Sequence, residues 1–380
     1  MPLTDIDGRR LGDSVADKLG NRNLIINGAM LVAQRGTSST TSGYGTVDRF
    51  SHEHGGTDEA PTFAQVDVSS SDTPYSLGFK KALKATNGNQ TSGAGAADYV
   101  GIGHRIEAQN LANSGWNYTS SSSYITLTFW ARSSVAKSFK GYFKTYDGTA
   151  QIYPFNTGTL SANTWTKVTK TIPGNSNITI NNDNGLGLEL FVYQFLGTDY
   201  TDSSVTENAW AAYASGTRTP DDDSSWYTTN DATFEITGVQ LEIGNTATPF
   251  EHRIFSDELF RCQRYYQEIV CGRTNTSYSG FSDDNGRVLI TMPLPREPRL
   301  NIGHDISGST LTRTGVIRVR TGFPSSSANN VDAIDYYGNF SSGITIGLST
   351  TDSSVTANNA YLVRMGSGNN EVMFTLDTEL

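Results

Sequence analysis

One stretch restricts the folding of this chain more than any other. GLGLELFVYQFL, residues 185–196, is apolar on both sides of an extended strand: Leu186, Leu188, Leu190 and Val192 point one way, Phe191, Tyr193 and Phe195 the other. A strand with one solvated face alternates apolar with polar residues. This one must therefore lie inside a sheet and be covered twice.

Other segments carry the one-sided pattern. In YITLTFWARS (124–133), Ile125, Leu127, Phe129 and Ala131 share one face, and Tyr124, Thr126, Thr128 and Trp130 share the other. In ATFEITGVQLEIG (232–244) the inward set starts as Phe234 and Ile236 and resumes as Val239, Leu241 and Ile243. The change of parity at Thr237-Gly238 predicts a β-bulge. Beyond residue 273 the segments GRVLITMPLP, GVIRVRTGF, SGITIGLST, AYLVRMG and EVMFTL alternate again, with Gly, Asn and Ser between them. Only 17% of residues are charged and 11% are aromatic, a balance suited to pleated surfaces with many turns. The chain is expected to be all-β: a jelly-roll β-sandwich over 23–251 and a smaller C-terminal β-sandwich over 273–380.

Two segments depart from this pattern. TPFEHRIFSDELFRCQRYYQEIV (248–270) reads as an amphipathic helix, with Ser256 as N-cap and Asp257 and Glu258 in its first turn. Its apolar stripe holds Leu259, Cys262, Tyr265, Tyr266, Ile269 and Val270, which predicts a connector over 252–272 that fixes domains or chains against each other. In residues 1–22, Leu11, Val15 and Leu19 fall at helical spacing in a piece too short to stand alone. That piece reads as an attachment segment needing a partner to pack on.

Several function classes are disfavoured. The formal net charge of −10 opposes a nucleic-acid or anionic-membrane partner. MPLTDIDGRRLGDSV has no apolar run resembling a secretory signal, and no segment is long enough to span a bilayer, so synthesis in the cytoplasm is expected. Cys262 and Cys271 are too few for a disulfide framework or a zinc site and read as reduced packing residues. His52 and His54 alternate on a strand and could share a metal, but no third ligand is visible, and an exposed strand end running into a Gly-Gly turn is the simpler reading. Asp221, Asp222 and Asp223 match no calcium loop and read as solvated. No catalytic or cofactor motif is present, so no cofactor, metal or catalytic residue is expected. TDSSVT occurs at both 201 and 351, which is too little to establish a duplication.

Aromatic residues in polar loops say more. Trp116 and Tyr118 lie in NSGWNYTSSSS, Trp210 and Tyr213 in ENAWAAYASG, Trp226 and Tyr227 in DSSWYTTND, and Tyr336 and Tyr337 in AIDYYGNF. Flat rings beside Asn, Asp and Ser suit sugar recognition: the ring covers the apolar face of a pyranose while polar neighbours pair its hydroxyls. The same residues equally suit loop anchoring or a subunit interface. The loop over 199–231 is long enough to be functional in its own right.

NLIINGAM (23–30), AQRG (33–36), VDRF (47–50), FWARS (129–133), ITGVQLEIG (236–244), TPFEHR and ELFRCQRYYQ, in this order, resemble a recurring module of bacteriophage tail fibres with a jelly roll of the carbohydrate-binding-module type. The resemblance covers roughly 23–270. It implies a non-enzymatic virion protein, a tail fibre or short fibre tip, that forms a homotrimer, docks on other tail or virion proteins through its N-terminal segment, and adsorbs to a surface glycan or outer-membrane receptor of the host. The alternatives are an adaptor, nozzle-associated or capsid-decorating fibre without receptor binding, and a polysaccharide depolymerase, which the lack of a β-helical repeat disfavours. In the resemblance, the quoted segments read as structural. Leu24 and Ile26 are expected on an entering strand that Gly28 ends, and Asp48 and Arg49, on opposite faces, should each find a buried or loop-bracing partner.

Overall fold

A computed structural model describes residues 22–270, 276–283, 287–299, 310–314, 317–320, 328–330, 333–340, 343–349, 360–365 and 373–380. Leu11, Val15, Leu19 and Cys271, together with the second TDSSVT segment, lie outside the described residues. The chain divides into two compact units, one running to Glu258 and taking in Leu380, the other Leu259–Glu379.

The first unit holds β1 (Ser38–Ser39), β2 (Phe50–Gly55), β3 (Thr62–Asp67), β4 (Lys81–Thr86), β5 (Tyr99–Glu107), β6 (Tyr124–Ser133), β7 (Lys137–Thr145), β8 (Gln151–Leu160), β9 (Thr166–Pro173), β10 (Leu186–Leu196), β11 (Ala211–Ala212) and β12 (Thr233–Ile243), with short helices α1 (Thr73–Ser76) and α2 (Ala108–Ala112). They form two six-stranded sheets, ordered β1-β3-β4-β12-β6-β9 and β11-β8-β7-β10-β5-β2. From β4 to β10 the chain changes sheet at every step except the β7–β8 hairpin, which is the winding of a jelly-roll sandwich.

β10 sits centrally in its sheet, paired with β5 on one side and β7 on the other. Leu188, Leu190 and Val192 enter the core between the sheets, where they join Ile125, Leu127, Phe129 and Ala131 of β6. Phe191 and Tyr193 enter a second apolar cluster with Tyr142 and Ile152, against which Tyr99, Tyr200 and Tyr213 pack. The strand is thus covered twice, as its sequence requires. Phe195 departs from the expected parity, because a register shift between Tyr193 and Phe195 turns it into the main core. The bulge in β12 is where the sequence places it, between Thr237 and Gln240, with Gly238 at φ 63°.

NLIINGAM does not form a strand. Asn27 and Met30 adopt left-handed backbone (φ 62° and 59°), so the segment bends and turns. Side-chain amides satisfy its backbone instead of a ladder. Asn23 Oδ1 accepts from the N–H groups of Ile25 and Leu241, each at 3.0 Å. Asn27 donates to the carbonyls of Val32 and Asp48 and accepts from the Val32 N–H. The Asn27 N–H donates to Glu258 at 2.5 Å, and Arg253 donates to the Asn23 carbonyl at 2.6 Å while pairing with Glu251 at 2.9 Å. A Cβ on Gly28 would stand 2.0 Å from the Val239 carbonyl oxygen, so only glycine lets this segment seat against the bulge. Asp48, 1% exposed, accepts from Gln34, and the buried Arg49 donates to the Arg105 carbonyl at 2.6 Å.

The predicted connector helix is shorter than expected. It spans Phe255–Cys262 (α3), and the unit boundary falls inside it at Glu258/Leu259. Ser256 lies within the helix and not at its cap. Tyr266–Val270 instead forms strand β13, because YQEIV is rich in β-branched and aromatic residues and an antiparallel partner, Met373–Asp377, supplies the ladder. The expected single helical stripe therefore splits. Cys262 and Tyr265 are buried and Leu259 is half-buried; Tyr266 is buried and Ile269 packs on the second core from the strand; Val270 is exposed.

The second unit adds β14 (Thr276–Ser282), β15 (Val288–Pro293), β16 (Thr310–Thr314), β17 (Ile317–Arg320), β18 (Ala328–Asn330), β19 (Ala333–Phe340), β20 (Gly343–Ser349), β21 (Ala360–Met365) and β22 (Met373–Asp377). Sheets ordered β13-β22-β16 and β18-β17-β21-β14-β15-β20-β19 share a core that includes Ile290, Met292, Ile346, Phe374 and Leu376.

Asp221 and Asp223 are exposed, as expected of a solvated loop, but Asp222 between them is not. Asp222 is sealed against Lys137 of β7 at 3.0 Å, with side chains 1% and 3% exposed. Burial pushes the Asp222 carboxyl up to about 6 in spite of the lysine. Asp221 accepts from the Thr201 hydroxyl and Asp223 from the Ser225 N–H. This pair pins the 199–231 segment to the sheet. Replacing Asp222 with Asn leaves Lys137 buried without its counter-ion and is expected to lower stability by about 3–5 kcal/mol at pH 7.5; chemical denaturation of both proteins measures it, and an unchanged midpoint would contradict the role of the pair.

Candidate functional site

The outward faces of β2, β5, β10 and β7 converge on one trough. Alternation sends Glu189, Phe191 and Tyr193 of β10 outward, and register sets Glu189 between Arg105 and Lys144, and Phe191 between Gly103 and Tyr142. Gly101 faces Tyr193 across the β5–β10 ladder and Glu53 across the β2–β5 ladder. A Cβ on Gly101 would lie 2.7 Å from Tyr193 Cδ1, and one on Gly103 would lie 2.5 Å from Phe191 Cζ. These two bare positions let the rings of β10 lie over β5, forming an aromatic floor. Phe191 and Tyr193 stack at 5.2 Å and 18°, and the hydroxyls of Tyr142 and Tyr193 stand 3.1 Å apart.

The 199–231 segment builds the wall. It is held to the sheet by Lys140–Glu207 (2.8 Å), by the Asn208 N–H on the Pro154 carbonyl, by the Tyr213 N–H on the Ala150 carbonyl, and by the Lys137–Asp222 pair. It contributes Tyr200, Tyr213 and Arg218 to a cavity of about 250 Å³. Tyr99 meets Tyr200 edge-on at 5.7 Å, Arg218 lies 4.5 Å from the Tyr200 ring, and Lys144 Nζ lies 3.8 Å from the Tyr213 ring.

Charge in the trough is ordered. Arg105 Nε donates to Glu189 Oε1 at 2.8 Å, and its other arm pairs with Glu53 at 3.5 Å. The Tyr146 hydroxyl donates to Glu189 Oε2 at 2.7 Å. Burial first, and then the neighbouring phenol or carboxylate, raises the pKa of Tyr142 and Tyr146, and burial also raises that of Tyr193. All three phenols are therefore neutral donors and acceptors at ordinary pH. Together they present rings, hydroxyls and fixed charges on a rigid sheet, a surface equipped to bind a polar ligand that has apolar faces.

Of the loop aromatics singled out from the sequence, Tyr213 alone among the described side chains lies in the trough. Trp116, Trp226 and Tyr227 are 3%, 0% and 1% exposed and belong to the main core, so they anchor loops and offer no ring to a ligand. Tyr118 packs against the same core, edge-on to Trp116. Trp210 is half-buried, donates to the Pro173 carbonyl at 2.7 Å, and lines a separate open cavity of about 360 Å³ at the β11 edge. Tyr336 and Tyr337 sit on β19, and their side chains fall outside the described residues. The trough residues Tyr99, Arg105, Tyr142, Lys144 and Glu189 are not among those singled out from the sequence; the signal that could have found them is the outward alternation in YVGIGHR, GYFKTY and LELFVY, whereas Tyr200 and Arg218 carry no periodic signal.

The histidine pair is structural in its surroundings. His52 is not at the exposed strand end that the sequence suggests: it is fully buried, stacks on Phe63 at 4.5 Å, and has its ring nitrogens on the Thr46 hydroxyl and the Thr41 carbonyl. His54 Nε2 stands 3.0 Å from the Thr40 carbonyl. Among the described residues no three His, Cys, Asp or Glu side chains cluster as a metal site.

No protein-family model matches the sequence, and no curated protein matches it. Among solved structures, the chain is similar to the enzymatically active domain of tailspike protein 4 from bacteriophage CBA120 (9% identity, TM-score 0.31, 58% of this chain and 21% of that one). It is also similar to the N-terminal cellulose-binding domain of Cellulomonas fimi β-1,4-glucanase C (11% identity, TM-score 0.27, 57% of this chain and 99% of that one). A third is the family 11 carbohydrate-binding module of a cellulosomal cellulase of Clostridium thermocellum (13% identity, TM-score 0.25, 57% of this chain and 98% of that one).

Two consequences of this geometry are measurable. Gly101→Ala forces Tyr193 off the strand and should lower stability by about 1–3 kcal/mol, with a matching change in the tyrosine near-UV circular dichroism; an unchanged spectrum would contradict the close approach. Burial holds the His52 imidazole down to about 4, against 6.5 when exposed, so the unfolded chain takes up the proton first. The resulting stability is complete above pH 6.5 and is lost as pH falls towards 4, by up to about 3 kcal/mol. A His52→Gln variant should show a shallower loss of melting temperature over that interval, and an identical slope would contradict this.

Proposed function

We propose that this chain is a saccharide-binding protein whose ligand lies in the trough on the β2–β5–β10–β7 sheet, and that it serves as a bacteriophage tail-fibre or fibre-tip protein that adsorbs to the host surface. The observation that carries the binding reading is the trough itself: tyrosine rings on a rigid floor and wall, with neutral phenols and fixed charges at their edges. Rings cover the apolar faces of a sugar, and the polar rim pairs its hydroxyls. Both carboxylates of the trough are engaged by Arg105, an arrangement that favours binding over hydrolysis. The virion role rests on the ordered segments from NLIINGAM to ELFRCQRYYQ; with it go a homotrimer, docking of the N-terminal segment on other virion proteins, and a place on the particle surface.

The test is a glycan array and host-cell adsorption assay with the whole protein and with Tyr200→Ala and Tyr213→Ala, two half-buried wall residues. Each substitution should weaken binding about tenfold with little change in melting temperature. Retained binding in both variants would move the site elsewhere, the C-terminal sandwich being the next place to look. Release of reducing ends from a bound polysaccharide would overturn the non-enzymatic reading, and a plain monomer in analytical ultracentrifugation would overturn the trimer.

A further inference from the structure

The charges of the trough are unevenly matched, although the chain as a whole carries −10. Arg105, Lys144 and Arg218 line it against Glu53 and Glu189. Arg105 takes up both carboxylates, and the second oxygen of Glu189 is occupied by the Tyr146 hydroxyl. Three other cations of the two sheets each have an acid within ion-pair distance: Lys137 pairs with Asp222, Lys140 with Glu207, and Arg132 with Glu235. Among the described residues, Lys144 and Arg218 do not. Lys144 stands opposite Glu189 on the ladder without an ion pair between them, its Nζ 4.2 Å from the Tyr146 ring and 3.8 Å from the Tyr213 ring, while Arg218 lies over Tyr200, donates to the Ser215 carbonyl at 3.1 Å and hydrogen-bonds the Tyr193 hydroxyl.

Building on the saccharide reading above, we infer that the trough selects an anionic saccharide, with Lys144 and Arg218 taking its acidic group and the tyrosines taking its ring. Two cations facing a partly desolvated cavity, neither held in an ion pair, repel each other, and a ligand anion relieves that repulsion. A neutral sugar leaves it in place. Burial lowers the pKa of Lys144; the Glu189 carboxylate opposes this, and Arg218 and Arg105 add to it. A guanidinium offers two parallel N–H groups to a carboxylate, sulfate or phosphate, and the ammonium adds a point charge. Neither side chain belongs to the core, so their cost to the fold on replacement is small.

Calorimetric titration of the whole protein tests the inference with four probes: oligogalacturonate, its methyl ester, dextran sulfate and unsubstituted dextran. At least one acidic probe should bind roughly tenfold or more tightly than its neutral counterpart, and its affinity should fall as salt is raised from 0.05 to 0.5 M. The two acidic arms distinguish a carboxylate from a sulfate ligand. Lys144→Met with Arg218→Met should remove the acidic preference while leaving the melting temperature near that of the native chain, and Lys144→Arg should retain it. Equal or tighter binding of the neutral member of both pairs overturns the inference and leaves saccharide binding intact. Should no probe bind, and the glycan array also be blank, both readings fall together.

Discussion

Everything in the first unit depends on burying both faces of β10. Leu188, Leu190 and Val192 close the sandwich core, and Phe191 and Tyr193 require a second cover on the outside of the same sheet. Each buried aromatic of this size contributes on the order of 2–3 kcal/mol, too much to leave exposed to water. The cover comes from the glycine-bared surface of β5 and from the 199–231 segment, which Lys137–Asp222 and Lys140–Glu207 hold in place. Stability and site are thus the same construction: the covering that protects the aromatic floor also forms the trough.

A second construction locks the ends of the jelly roll. Asn23 and Asn27 replace a strand ladder with side-chain amides, joining the opening segment to the bulge in β12, to Asp48, and to Glu251, Arg253 and Glu258. Nearly all of these polar groups are buried, and each finds a partner, so removal of any one leaves another unsatisfied at a cost of about 1–3 kcal/mol. This explains why NLIINGAM, VDRF, ITGVQLEIG and TPFEHR occur as separate short segments: they meet in one place and hold it shut. They are framework, and the trough lies elsewhere on the same unit.

Where the structure departs from the local sequence pattern, the departures have a common origin. Trp116, Trp226 and Tyr227 sit among Ser, Asn and Asp and look available for a ligand, but polar neighbours in sequence say nothing of what packs on a ring from across the sandwich. Local periodicity puts Tyr265 and Tyr266 on one helical stripe, because it cannot anticipate that a strand more than a hundred residues later, Met373–Asp377, pairs with Tyr266–Val270. Asp222 looked solvated for the same reason, its counter-ion Lys137 being 85 residues away.

By itself the sequence determined the all-β character, the central two-faced strand, the bulge at Thr237-Gly238 and the outward alternation of Glu189, Tyr142, Lys144 and Arg105, because these follow from a backbone period that each segment carries within itself. Only the tertiary structure decided which aromatic rings are core and which are site, and which cations of the trough are held in ion pairs. Burial and charge pairing are relations between segments distant in the chain, and no segment contains them alone.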